Sequence, residues 1–120
     1  MISKDILEYS KINYVFKIND YIIGNILIEE TKDVINIVDV LVNEEYRRNK
    51  VATRLLEEII KDYKGKKEKI MLEVRNSNTP AINLYEKFGF KTIFVRKNYY
   101  KDDDALIMEV MLWKIHTYLQ

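Results

Sequence analysis

Cysteine is absent from this sequence of 120 residues, and proline, histidine and glycine are scarce, with one, one and three copies. The absence of cysteine excludes disulfide bonds and thiolate metal sites, and no metal is predicted. No apolar run is long enough to span a bilayer, and residues 1–5 lack the apolar core of a signal peptide. We therefore expect a cytoplasmic protein.

An excess of charge of one sign is also missing, because twenty Lys and Arg residues face nineteen Asp and Glu residues and give a net charge of +1. This balance disfavours strong attraction to nucleic acid or to a membrane, so neither is predicted as a partner. The length suits a single domain covering residues 1–120, and neither repeats nor Pro/Gly-rich linkers divide it.

The first part of the chain predicts a helix followed by an antiparallel meander. The helix is predicted at residues 3–10, with Ile6, Leu7 and Tyr9 on its apolar side. Alternating apolar residues and β-branched runs predict strands at 12–18, 21–29 and 34–42. Asn19 and Asp20 predict a tight turn between the first two strands.

Beyond residue 50 the apolar residues follow helical spacing, which predicts a helix at 51–63 with Gly65 as its C′ residue. A strand is predicted at 69–74. Thr79 and Pro80 predict an N-cap followed by proline at the first helical position, and Gly89 predicts the end of that helix. Two last strands are predicted at 90–95 and 105–113, around a polar loop at 99–104.

This order of elements predicts the fold class. A strand–helix–strand unit of this length requires a right-handed crossover, so the strands at 34–42 and 69–74 are predicted to be parallel neighbours. The expected fold is α/β, or α+β by a stricter label, with a mixed central sheet flanked by helices.

The segment 40–53 combines a strand end, a polar turn and a helix start. A helix N-terminus offers unpaired N–H groups and a positive dipole end, and Arg47, Arg48 and Lys50 would add positive charge there. The segment therefore indicates an anion site, although an ordinary exposed helix start with basic residues has the same pattern.

A second segment, 72–85, places Glu73 in the middle of an otherwise apolar strand. Burial there would favour its use as a base near neutral pH. Tyr85 on the following helix is expected to return over the same end of the sheet. The alternative is that Glu73 pairs with a nearby cation and Tyr85 fills a core position.

Together these segments resemble the GCN5-related N-acetyltransferase (GNAT) superfamily over residues 12–108. Residues 47–52 are similar to the acyl-CoA motif Gln/Arg-x-x-Gly-x-Gly/Ala. Residues 72–90 are similar to a second family segment nearly residue for residue. Asn98-Tyr99-Tyr100, before the strand Asp104-Ala105-Leu106-Ile107-Met108, resembles the RimI type, whose members acetylate the N-terminus of a ribosomal protein.

The resemblance implies an acetyl-CoA-dependent N-acetyltransferase whose acceptor is a protein or peptide N-terminus, such as that of a ribosomal protein. It implies Glu73 as general base and Tyr85 as general acid. It also implies cofactor-binding residues on the first strand end, at the helix start and before the second helix: Val40, Leu41, Val42, Arg48, Asn49, Lys50, Val51, Ala52, Thr53 and Asn78. Direct attack by an amine with a pKa of about 8 requires no protein nucleophile.

Two departures from the family pattern stand out. Lys50 occupies a position where the motif has glycine, which allows close approach or an unusual dihedral angle. The chain also has few residues before the first matching strand, which leaves a truncated form, a natural short form and a homodimer that supplies the missing wall as alternatives. The C-terminal segment 114–120, including His116, is a candidate contact of such a dimer.

Two other functions stay open from the sequence. One is an acetyltransferase of the same fold that acts on a small-molecule amine or a lysine side chain. The other is a catalytically silent module that binds coenzyme A or a partner.

Overall fold

The computed structural model describes residues 1–8 and 10–115. The described part of the chain forms one seven-stranded mixed sheet with strand order β1-β2-β3-β4-β5-β7-β6. The strands are β1 (Ile2–Glu8), β2 (Lys11–Ile18), β3 (Tyr21–Glu30), β4 (Val34–Val42), β5 (Lys69–Arg75), β6 (Lys91–Tyr100) and β7 (Asp103–Met111). The helices are α1 (Val51–Tyr63) and α2 (Thr79–Lys87), with short 3-10 turns at Glu44–Tyr46 and Leu112–Lys114. The mixed sheet of the sequence prediction is confirmed.

The prediction of a helix at 3–10 is wrong, because residues 2–8 form strand β1. It pairs antiparallel with β2, from Ile2 opposite Phe16 to Ile6 opposite Ile12. A helix of this length is marginal on its own, and the open edge of β2 offers main-chain hydrogen bonds to an extended chain instead. The N-terminal ammonium group also donates to the Lys17 carbonyl at 3.0 Å. Tyr9 lies outside the described residues.

The antiparallel meander is confirmed. Asn19 and Asp20 both have positive φ, at 50° and 68°, and connect Ile18 to its partner Tyr21. These values are typical of a two-residue type I′ hairpin, for which Asn and Asp are suited.

Helix α1 supplies one side of the core and has the predicted bounds. Its apolar stripe is fully buried at Leu55, Leu56, Ile59 and Ile60 and belongs to one cluster with buried residues of the sheet. Gly65 follows the C-cap residue Lys64 with φ at 83°, as expected for a C′ glycine.

Strands β4 and β5 are parallel neighbours, as predicted, but only along part of their length. The pairing runs from Val34 with Lys69 to Ile37 with Leu72 and then stops. On its other edge, β4 stays paired with β3 as far as Val42. A β-bulge at Val38, between the pairs Ile28–Ile37 and Leu27–Asp39, bends β4 at this point. The sheet therefore divides into a fork beyond Ile37 and Leu72.

The end of the chain differs from the prediction in its boundaries. The loop predicted at 99–104 is instead a turn at Lys101 and Asp102, since β6 continues to Tyr100 and β7 begins at Asp103. Helix α2 also begins one residue earlier than predicted. Its N-cap is Asn78 rather than Thr79, because the Asn78 side chain accepts a hydrogen bond from the Ala81 amide at 3.3 Å. Gly89 follows that helix with φ at 95°.

Neither α-helix in the described ranges has the length and apolar character that crossing a membrane requires. Of the segment 114–120, the candidate dimer contact, residues 116–120 with His116 lie outside the described residues, and the dimer stays a prediction.

Candidate active site

A cleft of about 660 Å³ opens at the fork between β4 and β5. The start of α1 closes one end of it, and α2 and the β6–β7 hairpin contribute to its walls. Most of the predicted site residues line this cleft: Val40, Leu41, Val42, Lys50, Ala52, Thr53, Glu73, Asn78 and Tyr85. Segments that are far apart in sequence thus meet where the sheet divides.

Three predicted residues hold other positions. Arg48 and Asn49 are exposed in the turn before α1 and do not belong to the cleft lining, whereas Val51 is buried at the first position of the helix. From these positions, they can serve a ligand in the cleft mainly through their main-chain groups.

The backbone explains why the family motif has glycine where this chain has Lys50. Lys50 is the N-cap of α1 and adopts the left-handed conformation, with φ at 58° and ψ at 31°. That region is accessible to glycine at little cost and is strained for a residue with a Cβ. The Lys50 side chain does not cap the helix, so the first amides of α1, at the cleft-lining residues Ala52 and Thr53, have no side-chain acceptor from the N-cap.

Gly24 on β3 fixes the position of this helix start. A Cβ at Gly24 would lie 2.7 Å from Cγ1 of Val51 and 3.2 Å from the Leu41 carbonyl oxygen. Only glycine allows α1 and β4 to approach β3 this closely. On the other side of the turn, Arg47 donates from Nε to the Val42 carbonyl at 3.3 Å and joins the helix start to the strand end.

The expected burial of Glu73 is not observed. Its carboxylate is partly exposed, because Glu73 lies on the sheet face opposite the core residues Leu72 and Val74. It accepts a hydrogen bond from the Tyr100 hydroxyl at 3.1 Å and forms an ion pair with Arg96 at 3.7 Å. Glu73 is therefore oriented by two side chains of β6.

Arg75 extends this arrangement on the same strand. Its guanidinium lies 4.0 Å from the centre of the Tyr100 ring, and it pairs with Asp102 at 3.3 Å. Tyr100 itself lines the cleft. The sequence singled out Asn98-Tyr99-Tyr100 only by resemblance, and Arg96 was missed because nothing in the sequence predicted that side chains of β6 reach across β7 to Glu73.

Tyr85 is buried at the cleft, with its ring centre 5.5 Å from that of Phe90. Burial, and secondly the negative charge of Asp39, raise the pKa of Tyr85 to about 12. The phenol therefore stays protonated throughout the physiological range and is available as a donor.

The acidic residues of the β6–β7 turn are used within the protein. Asp102 pairs with Arg75, and Asp103 accepts hydrogen bonds from the Ser77 hydroxyl at 2.6 Å and the Ser77 amide at 3.0 Å. Asp104 accepts from the Asn98 amide at 2.8 Å and pairs with Lys97. The bonds of Asp102 and Asp103 hold the hairpin against the end of β5 and the segment that follows it, whereas those of Asp104 lie within the hairpin.

Comparison with known proteins gives a consistent result. Residues 3–90 match the model of the family described as "Acetyltransferase (GNAT) family". An N-alpha-acetyltransferase of Saccharolobus solfataricus is 51% identical over 76 residues, which are 61% of this chain and 46% of that protein. The chain spans about half the length of the curated relatives it matches.

Two solved structures share the fold. The ribosomal-protein-S18-alanine N-acetyltransferase from Escherichia coli superposes with a TM-score of 0.83 at 27% identity, over 92% of this chain and 77% of that one. A GNAT family acetyltransferase from Elizabethkingia anophelis, solved with acetyl-CoA bound, has a TM-score of 0.77 at 26% identity, over 85% of this chain and 76% of that one.

Proposed function

The chain belongs to the acetyltransferase (GNAT) family, and we propose that it transfers an acetyl group from acetyl-CoA to the α-amine of a protein or peptide N-terminus. The observation that carries this proposal is the fork between β4 and β5. One cleft there is lined by the start of α1, by Glu73 and by Tyr85.

The cleft residues fit an acyl-CoA. Phosphate groups suit the start of α1, where main-chain amides of residues 51–53 and the positive helix end lie beside Lys50 and Arg47. Beyond Ile37, β4 has no strand on its β5 side, so its main chain there is available to amide groups of a ligand. Asn78 contributes its side-chain amide from the start of α2, although its oxygen also caps that helix. Acetyl-CoA would supply the activated acetyl group.

Glu73 is proposed as the base. The acceptor enters as an ammonium group, whose pKa is about 8, and gives a proton to the Glu73 carboxylate, directly or through water. The nitrogen then forms a bond to the thioester carbonyl carbon, main-chain N–H groups of residues 40–42 stabilise the oxyanion, and the carbon–sulfur bond breaks. The nitrogen then loses a second proton. Of the two protons that leave the nitrogen, the overall reaction places one on the coenzyme A thiol and releases the other to solvent.

Tyr85 is proposed as the acid that serves the departing sulfur. Its pKa of about 12 exceeds that of an ordinary thiol, about 8.5, so complete transfer to a relaxed thiolate would cost about 5 kcal/mol. The phenol therefore acts best while the carbon–sulfur bond is breaking, as a hydrogen-bond donor that gives up its proton late.

The acceptor class is proposed from similarity. The relative from Saccharolobus solfataricus and the Escherichia coli structure are both named for N-terminal or alanine N-acetylation. A ribosomal-protein N-terminus is accordingly the first acceptor to test. A catalytically silent module is the second candidate, favoured by the ion pair and hydrogen bond that already engage the Glu73 carboxylate.

Titration of acetyl-CoA into the purified protein, followed by thiol release with N-terminal peptides, separates these candidates. The Glu73→Gln and Tyr85→Phe variants are each expected to lose about 100-fold in rate while acetyl-CoA still binds. Glu8→Gln and Tyr21→Phe change the same groups at exposed positions of β1 and β3 and should leave the rate unaltered. Binding without release would favour the silent module, and no binding by folded protein would refute the acetyltransferase and the coenzyme A-binding form of the silent module.

A further inference from the structure

We propose that Asp39 is the binding site for the acceptor's ammonium group, on the opposite side of the fork from Glu73. This assignment rests on the proposed acetyltransferase function and names the group that would hold its acceptor. It concerns a residue that neither the motif resemblance nor the apolar pattern of β4 singled out.

The bulge at Val38 places Asp39 on the required face. In a regular strand Asp39 would share the face of Ile35 and Ile37, both of which are buried in the core. Because of the bulge, Asp39 instead pairs with Leu27, which lies between the core residues Ile26 and Ile28 and faces away from them. Asp39 therefore lies on the sheet face opposite the core.

Glu73 lies on that same face, across the opening. Leu72, the last β5 residue paired with β4, points into the core, and Glu73 follows it on the other side of the strand. Both residues line the cleft, one on each branch of the fork. An acceptor that approaches from this face meets a carboxylate on either side.

Asp39 differs from the neighbouring carboxylates because none of the other residues that the structure describes engages its carboxylate. Glu73 is held by Arg96 and Tyr100, and the acidic residues of the β6–β7 turn are held by Arg75, Ser77, Asn98 and Lys97. Among the residues at 1–8 and 10–115, none forms a hydrogen bond or an ion pair with the Asp39 carboxylate. It is thus the anion of the cleft that has capacity for an external cation.

The position of Asp39 relative to Tyr85 supports the same role. Asp39 is close enough for its negative charge to contribute to the raised pKa of Tyr85. An ammonium group beside Asp39 would cancel much of that charge and lower the pKa of the phenol. A bound ammonium group would thereby bring the pKa of Tyr85 closer to that of a thiol, until the amine gives its proton to Glu73.

The test measures acceptor binding without turnover. Isothermal titration into the protein saturated with coenzyme A, which lacks the acetyl group, compares a short alanine-initiated peptide with the same peptide N-acetylated. The wild-type complex should prefer the free amine by about five-fold or more, as an ion pair in a partly closed cleft allows. Asp39→Asn should lose this preference, Asp39→Glu should restore part of it, and coenzyme A should bind all forms equally or slightly more tightly in Asp39→Asn.

Asp5→Asn is the matched control, because Asp5 is an exposed aspartate on β1. It should keep the wild-type preference. If Asp39→Asn keeps the preference while the wild type acetylates the peptide, the ammonium site is refuted and the proposed function stands. If the wild-type complex binds both peptides equally, the ammonium site is refuted. If the folded wild-type protein does not bind coenzyme A at all, the proposed function falls as well.

Discussion

Gly24 and Val51 approach so closely that a methyl group added to Gly24 would lie 2.7 Å from Cγ1 of Val51. Val51 is the first residue of α1 and is buried, and its β-branched side chain has little rotational freedom. The position of the proposed phosphate-binding amides of α1 thus depends on the absence of a side chain at Gly24 of strand β3.

The Gly24→Ala variant should displace the start of α1. Overpacking of this kind costs about 1–3 kcal/mol of unfolding free energy, and the displaced amides should weaken acetyl-CoA binding beyond what lost stability explains. Chemical denaturation and titration of acetyl-CoA measure the two effects. In Gly65→Ala the added Cβ meets no atom within 4 Å, although φ is 83°, so that variant should lose stability and keep its affinity. Equal affinity in both variants would contradict the prediction.

The Lys50→Gly variant should stabilise the protein. Glycine adopts the left-handed conformation without the cost of about 1–2 kcal/mol that a residue with a Cβ incurs. Glycine also raises the entropy of the unfolded chain, which offsets part of this stabilisation. The expected net increase in unfolding free energy is about 0.5–1 kcal/mol, measured by denaturant titration. Lys50→Ala removes the charge but keeps the strain, so it should give no such increase. A stabilised Lys50→Ala would show that the side chain, and not the dihedral angle, is responsible.

The rate of acetyl transfer should have no descending limb from Tyr85 below about pH 11. Since burial and Asp39 raise the pKa of this phenol to about 12, it remains protonated at pH 10, where an ordinary tyrosine is about half ionised. The measurement is kcat as a function of pH between 7 and 10.5 for the wild type and Tyr85→Phe. A limb near pH 10 that disappears in Tyr85→Phe would refute the protonated state assigned here.

The amide chemical shifts of Ser77 and Asn98 should report the ionisation of Asp103 and Asp104, with midpoints at unusually low pH. Hydrogen bonds from Ser77 lower the pKa of Asp103 below its ordinary 3.8, and the bond from the Asn98 amide does the same for Asp104. The stabilisation from these lowered pKa values is present above the ordinary carboxyl range and is lost as the pH falls through the folded-state values. Two-dimensional NMR between pH 6 and 2 follows both amides. Midpoints at or above 3.8 would contradict the hydrogen bonds described.

Elements with a strong local pattern were predictable. Helix α1 and strand β4 have the predicted bounds, because a full apolar stripe and a long β-branched run each admit one reading. The parallel pairing of β4 with β5 followed from chain handedness alone.

Features decided by other strands were not predictable. The β1 segment is short, and its structure depends on the open edge of β2. Most of β6 is exposed on both faces, so it lacks the alternation that would have placed its end at Tyr100. A bulge leaves no mark in the sequence of β4, so the face of Asp39 was inaccessible, and the solvent exposure of Glu73 depends on what covers the second face of the sheet.

Two parts of the sheet are joined by very few pairs, from Val34 with Lys69 to Ile37 with Leu72. Asp39 and Glu73 stand on strand ends that project beyond this join, one from each part. A small rotation about the join alters the gap between the two carboxylates while the hydrogen bonds inside each part stay intact. The width of the cleft therefore depends on few main-chain pairs and on the core beneath them, and a ligand that bridges β4 and β5 would add a further connection between the two parts.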